Sequence, residues 1–261
     1  MALLLVCLVT LSVAYGLSLD PTGAGMQSRM QLKNRLFAEC ASCDRGFASV
    51  PSQRLKIGSL IDQLSAQSPE DVPTRGLYPN DTGADDDSCP LEGTWKMIYT
   101  SALDVLTLGA NPLTTVQGIY QTIRADGGVE NVIDVAPRLQ AALPLSLVGE
   151  GSTLRARVAI RASARQSARV GLTFTGLRLQ PRTLLGADVS SLPPFKIDFP
   201  SVLPTLFSGG GKGFGAEQGA ELDSPGFFNV LYLDEDTLII KQNEPGGLFV
   251  SIRDDPIPLL D

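Results

Sequence analysis

The stretch from Leu91 to Ser101, LEGTWKMIYTS, decides the fold because its apolar and polar residues alternate. Trp95, Met97 and Tyr99 are two residues apart, and side chains two apart in a strand lie on the same face. We therefore predict a strand whose inner face carries these three residues. Similar alternation predicts further strands over residues 118–123, 129–135, 154–162, 170–174, 228–232, 238–241 and 248–252.

Turn signals separate these strands. Asp126-Gly127-Gly128, the acidic residues 234–236 and the Pro/Gly-containing residues 243–247 each predict a hairpin connection. Many short strands joined by turns, without alternating helices, are typical of an antiparallel barrel or sandwich. Apolar residues at helical spacing predict two short helices upstream of the strands. The predicted fold class is mainly β, with a short N-terminal helical segment.

The N-terminus has the pattern of a cleaved leader. Residues 3–13 are nearly all apolar, and this run is shorter than the roughly 20 residues of a membrane span. Small residues at Ala14 and Gly16 suit cleavage after Gly16, so residues 1–16 are predicted to be a signal peptide.

Residues 17–38 have the composition of a transit peptide, with three basic residues and one acidic residue. A signal peptide followed by such a segment is the leader that import into a plastid of secondary origin requires. Secretion is the alternative, and the composition alone does not decide between the two.

The remaining chain divides into three predicted parts. Residues 39–68 form the N-terminal helices, and the proline-rich residues 69–90, with an acidic run, form a linker. Residues 91–256 form the β domain. Within it, residues 181–226 are rich in proline and glycine and are predicted to be a long loop.

Composition excludes several classes of function. The chain has 261 residues, a net charge of -7 and a pI near 4.7, which argues against nucleic-acid binding. It contains no histidine, which excludes Ser-His-Asp and Cys-His catalysis and histidine-ligated zinc. Cys40 and Cys43 form a CxxC pair, but only Cys89 could join them, and a zinc site needs four ligands. We expect no metal and no cofactor; the pair is either a set of small helix residues or a regulatory disulfide.

Four stretches together resemble one known family. The first is residues 45–49 with the helix 57–64, and the second is Leu91 to Ser101, like the family's L-x-G-x-W-x-L-x-Y-T-S strand. The third is Gly118-Ile119-Tyr120-Gln121, with Asn131 following on the partner strand. The fourth runs from residues 232–236 through 245–250, like the family's closing hairpin. On these motifs, Cys40 to Pro256 resembles the plastid lipid-associated proteins, or fibrillins. The resemblance implies a lipocalin-like barrel, a place at thylakoids or plastoglobules, and binding of prenylquinones, carotenoids or glycolipids without catalysis.

Two sets of residues are candidate sites. An eight-stranded barrel has an interior that either holds one small ligand or is filled by side chains. The residues predicted to face this interior are Trp95, Met97, Tyr99, Ile119, Tyr120, Phe174, Phe228, Val230 and Phe249. Arg155, Arg157 and Arg161 lie on the polar face of one strand and are candidates for contact with anionic lipid headgroups. A solvated barrel exterior is the alternative for these arginines.

The predicted function is that of a non-enzymatic protein that binds or coats hydrophobic plastid lipids as a peripheral membrane protein. Two alternatives remain at this stage. One is a secreted lipocalin-type carrier. The other is a lipocalin-barrel enzyme acting on a carotenoid or quinone, which would need an acid pair inside the barrel.

Overall fold

A computed structural model describes residues 21–78, 88–144, 151–198, 226–243 and 246–257. Within these ranges, the strands are β1 Gly93–Thr100, β2 Thr114–Ile123, β3 Gly128–Pro137, β4 Thr153–Gln166, β5 Arg169–Leu184, β6 Ala187–Asp188, β7 Phe195–Asp198, β8 Gly226–Leu233, β9 Thr237–Gln242 and β10 Leu248–Asp254. Eight of them close into an antiparallel barrel in the order β1-β2-β3-β4-β5-β8-β9-β10, with β10 pairing back to β1. The two short strands β6 and β7 add to the outer part of β5. The predicted mainly-β, lipocalin-like barrel is confirmed.

The β2–β3 turn shows how the sequence builds the hairpins. Gly127 has a φ of +83°, a conformation that glycine adopts without steric cost. The Asp126 carboxylate accepts a hydrogen bond from the Gly128 backbone N–H at 2.8 Å, which fixes the turn. The turn sets the register in which Gln121 lies opposite Asn131.

Helices lie at the N-terminus and at one end of the barrel. They are α1 Pro21–Ala41, α2 Pro51–Ser65 and α3 Leu103–Gly109, with 3₁₀ turns at Asp44–Gly46 and Arg138–Ala142. None of the helices in the described ranges has the length and apolar character that a membrane span requires.

The first two helices, α1 and α2, pack on the outside of the barrel. Leu36, Ile57 and Leu60 are almost completely buried there against the barrel residues Tyr99, Tyr232, Ile239 and Val250. Lys33 of α1 forms ion pairs with Asp234, at 2.8 Å, and with Asp236 of the β8–β9 turn. Burial opposes ionisation of Asp236, but hydrogen bonds from Lys33 and Thr237 lower its pKa to about 2. An apolar interface and an ion-pair cluster together hold α1 in place.

The predicted segment boundaries differ from the structure in three places. The signal peptide, residues 1–16, lies outside the described residues, but the transit-like segment 17–38 overlaps α1, whose Leu36 is fully buried. Composition records the charge of Lys33 and not its partners, so it cannot distinguish a leader from a docked helix. Part of the predicted linker covers one end of the barrel, where Leu77 is buried and the Tyr78 N–H donates to the Ala125 carbonyl. The predicted loop 181–226 contributes to β5 and contains β6 and β7, and its residues 199–225 lie outside the described ranges.

The packing of α1 yields a stability prediction. Leu36→Ala should lower the free energy of unfolding by about 2–5 kcal/mol, because it leaves a cavity between α1 and the barrel. Met30→Ala, on the same helix at 57% exposure, is the matched control and should change it by less than about 0.5 kcal/mol. Urea unfolding of the two variants measures both values. Equal stability of the two would show that α1 does not dock.

Candidate functional site

A β-bulge in β1 decides which of its side chains enter the barrel. Met97 pairs with Ser251 and Tyr99 pairs with Val250, so Ile98 is an extra residue. A one-residue insertion reverses the faces of the residues that follow it. Trp95 and Met97 therefore point into the barrel, whereas Tyr99 turns outward onto α1 and α2. A matching bulge between Val230 and Tyr232 in β8 turns Tyr232 toward the same helices.

The barrel encloses a cavity of about 360 Å³. Its wall is mostly apolar, which is typical of sites for small hydrophobic ligands. Side chains from β1, β2, β3, β4, β5, β8, β9, β10 and α3 line it, and they are Trp95, Met97, Asp104, Val105, Leu108, Ile119, Tyr120, Gln121, Asn131, Ile133, Val158, Leu172, Phe174, Leu177, Phe228, Ile240, Gln242, Phe249 and Ser251.

One end of the cavity is closed. Trp95 lies there, and its indole N–H donates to the Leu91 carbonyl at 2.9 Å. Leu77, Leu91 and Cys89 pack beneath it as part of the barrel core. This end, which we call the floor, also carries Gln121, because Trp95 and Gln121 are register partners on β1 and β2.

The opposite end is the mouth, and it is more loosely built. The short helix α3 follows β1 and contributes Val105 and Leu108 to the cavity wall. The strands β5 and β8 pair only over Arg169–Leu172, and farther along β5 the short strand β7 takes this place, with Ile197 opposite Leu177. Short elements, α3 and β7, therefore complete the barrel wall at this end.

Seven of the nine residues predicted for the barrel interior border the cavity. The exceptions are Tyr99, which the bulge turns outward, and Val230, which lies in the barrel core. Tyr120 borders the cavity, but strand alternation directs its ring to the outer face, where Lys96 Nζ lies 5.9 Å from the ring centroid. Binding of a ligand by any of these residues stays a prediction.

Two polar residues at the floor were not among the predicted site residues. Gln121 Nε2 donates a hydrogen bond to Asn131 Oδ1 at 2.9 Å across the β2–β3 ladder. The signal that could have found them is the hairpin turn at Asp126-Gly127-Gly128, since its register places both amides on the inner face beside Trp95. A search for apolar interior positions overlooks polar residues of this kind.

The three arginines proposed for a membrane surface differ in their surroundings. Arg155 makes a bidentate ion pair with Asp134, with hydrogen bonds of 2.7 and 2.6 Å, and these bonds raise the pKa of Arg155. Arg157 bonds to Glu130 at 2.9 Å and is 3% exposed. Arg161 alone is exposed, with its guanidinium 4.9 Å from the centre of the Tyr78 ring. The ion pairs of Arg155 and Arg157 join β3 to β4. Of the three arginines predicted to contact a membrane, only Arg161 is therefore exposed to make such a contact.

The cysteines lie away from the cavity wall. Cys40, Cys43 and Cys89 are free and buried, and the Cys43 thiol donates to the Cys40 carbonyl at 3.2 Å. Burial raises the pKa of Cys40 to about 12, so this thiol is protonated and unreactive at neutral pH. Within the described ranges, no three His, Cys, Asp or Glu side chains come together as a metal site.

Comparison with known proteins identifies the relatives of this chain. The family model PAP_fibrillin matches residues 30–252. Two curated proteins of an Oncidium hybrid cultivar, the chromoplast-specific carotenoid-associated proteins C2 and C1, are each 31% identical over 112 residues. The aligned part is 41% of this chain and 31% of each relative, so the chain spans about a third of the curated relatives it matches.

The buried ion pair gives a prediction that separates structural from surface arginines. Arg157→Gln should lower the free energy of unfolding by about 3–5 kcal/mol, because it leaves the buried Glu130 without its charged partner. Arg161→Gln, on the same strand but exposed, is the control and should change it by less than about 0.5 kcal/mol. Denaturant unfolding checks both, and equal effects would contradict a structural role for Arg157.

Proposed function

This chain belongs to the PAP_fibrillin family, and on that basis we propose that it binds a hydrophobic plastid lipid, such as a prenylquinone or a carotenoid, without catalysis. The observation that carries the proposal is the apolar cavity of about 360 Å³ inside the barrel. A core that served stability alone would be filled by side chains to crystal-like density. Leaving such a volume open costs packing energy that a bound apolar ligand restores.

The absence of catalysis in this proposal rests on the groups that border the cavity. Apart from Tyr120, whose ring is directed to the outer face, the polar side chains of the lining are the amides of Gln121, Asn131 and Gln242, the Ser251 hydroxyl and one carboxylate, Asp104, which is exposed at the mouth. The enzyme alternative needs a pair of carboxylates inside the barrel. No such pair lines the cavity within the described part of the chain.

We place the protein in a plastid, at thylakoids or plastoglobules. Support comes from the family, from the chromoplast relatives and from the predicted leader. The surface supports lipid contact at the mouth, since exposed apolar side chains are gathered on the loops and strand ends around it. They include Leu103, Leu113, Leu139, Leu184, Leu185 and Phe195, each at least 59% exposed. The acidic turn Asp234–Asp236 lies at the opposite end, away from an anionic surface.

Trp95 is the sole tryptophan in the chain and borders the cavity, so its fluorescence reports ligand entry. Titration of the purified protein with a prenylquinone or a carotenoid should quench this fluorescence to saturation at one ligand per chain. Val158→Phe places a larger side chain in the cavity and should weaken binding about tenfold or more. Leu55→Phe, on the exposed face of α2, is the control and should bind as the wild type does. Equal affinity of the two variants would show that the ligand binds outside the barrel.

The lipid-facing role of the mouth is tested separately. The double variant Leu113→Glu with Leu139→Glu should reduce binding to vesicles of galactolipid and phosphatidylglycerol by about tenfold or more, since each leucine loses the free energy of burial in lipid. Leu55→Glu is the control for an exposed leucine elsewhere. Flotation of vesicles with bound protein measures the effect. An equal loss in the control would place the contact outside the mouth.

A further inference from the structure

We infer that the floor of the cavity is a head-group subsite for a lipid that carries an oxygen-bearing planar ring, bound ring-first with its apolar tail toward the mouth. The inference rests on the proposed function, and it selects among the lipids that function allows. A prenylquinone has the required chemistry, whereas a hydrocarbon carotenoid lacks the oxygen. Three features of the floor carry it.

The first feature is an amide pair with unused hydrogen-bonding capacity. One hydrogen bond joins Gln121 and Asn131, and whichever way the two amides are turned, one NH₂ group and one carbonyl oxygen remain. No group in the described part of the chain bonds to the Asn131 NH₂ group or to Gln121 Oε1. Both side chains border the cavity. A ring oxygen at this place accepts from the NH₂ group, and a ring hydroxyl also donates to the carbonyl.

The second feature is a fixed aromatic ring beside the amides. The Trp95 indole is held by its bond to the Leu91 carbonyl, and the Arg253 guanidinium lies 4.3 Å from the ring centroid. Arg253 does not line the cavity, whereas Trp95 does, so part of the indole surface still faces the cavity. A planar ring gains both burial and stacking at such a surface.

The third feature is the change of polarity along the cavity. The floor carries the amides, the middle carries Ser251 beside Met97, and the next part toward the mouth is lined by Leu108, Phe174 and Phe249. Gln242 and the exposed Asp104 then lie near the rim. A lipid with a polar ring and an isoprenoid tail matches the floor and the apolar part beyond it when the ring lies at the floor. A pure hydrocarbon would desolvate the amides without replacing their hydrogen bonds, and a site of that kind discriminates strongly against a ligand that lacks the polar group.

The test compares two ligands with the same tail. The first probe is 2,3-dimethyl-1,4-benzoquinone bearing a decyl chain, and the second is decylbenzene. Calorimetric titration of the wild-type protein should give tighter binding of the quinone. Asn131→Leu, which keeps the approximate shape and removes the amide, should weaken quinone binding about tenfold and should not weaken decylbenzene binding, because a hydrocarbon gains nothing from the amide. Met97→Leu, an apolar change one layer above the floor, should affect both probes equally.

Infrared spectroscopy supplies a readout that a purely structural role would not move. The carbonyl stretch of the bound quinone should lie at lower wavenumber than that of the quinone in hexane, and Asn131→Leu should abolish this shift. Gln121→Met is the second variant, and it decides the question if thermal unfolding shows that Asn131→Leu does not fold. Loss of quinone selectivity in either folded variant supports the subsite.

The outcomes separate this inference from the function on which it rests. If the wild-type protein binds both probes equally, or if the amide variants weaken both to the same extent, the head-group subsite is overturned and the lipid-binding function stands. If the wild-type protein binds neither probe and no prenylquinone or carotenoid quenches Trp95, the proposed function fails and the subsite fails with it.

Discussion

The closure of the sheet between β1 and β10, with one extra residue at Ile98, is the constraint on which the structure depends. Before the bulge, β1 directs Trp95 and Met97 into the barrel, and after it Tyr99 faces outward. One strand therefore contributes both to the cavity wall and to the outer surface on which α1 and α2 pack. The β8 bulge repeats this division. Because the helices pack on the outside, their apolar residues do not fill the interior, and the cavity remains open.

Strand alternation and turn chemistry predicted an antiparallel barrel or sandwich, and the family resemblance selected the lipocalin-like barrel. Seven of the nine residues predicted for its interior border the cavity. Alternation failed at Tyr99, because a bulge depends on pairing with a strand about 150 residues away and leaves no local signal. Composition could not show the ion pairs of Lys33, because its partners Asp234 and Asp236 are 201 and 203 residues away in the sequence. The transit-like segment stays a prediction. The partners of the arginines were also hidden, since the connection between β3 and β4 is too long to fix their register.

The two ends of the barrel differ in how the chain covers them. At the closed end, the chain before β1 covers the barrel core, and the β8–β9 turn is tied to α1 by ion pairs. At the mouth, the short strand β7 replaces β8 as the neighbour of β5, α3 is a short helix, and Leu113 and Leu139 are exposed. Exposed apolar groups scattered singly need no explanation, but a group of them around an apolar opening favours contact with lipid.

The ion pairs on the outer wall and the amides at the floor belong to one arrangement. Along β3, Glu130 and Asp134 face outward to Arg157 and Arg155, while Asn131 and Ile133 face the cavity. A slip of one residue in this strand would exchange the faces and bring two carboxylates into an apolar cavity, which is energetically costly. The ion pairs add little net stability for their burial, because desolvation offsets their attraction. What they determine is the register of β3, in which the neutral amide of Asn131, and no charged group of this strand, faces the cavity at its floor.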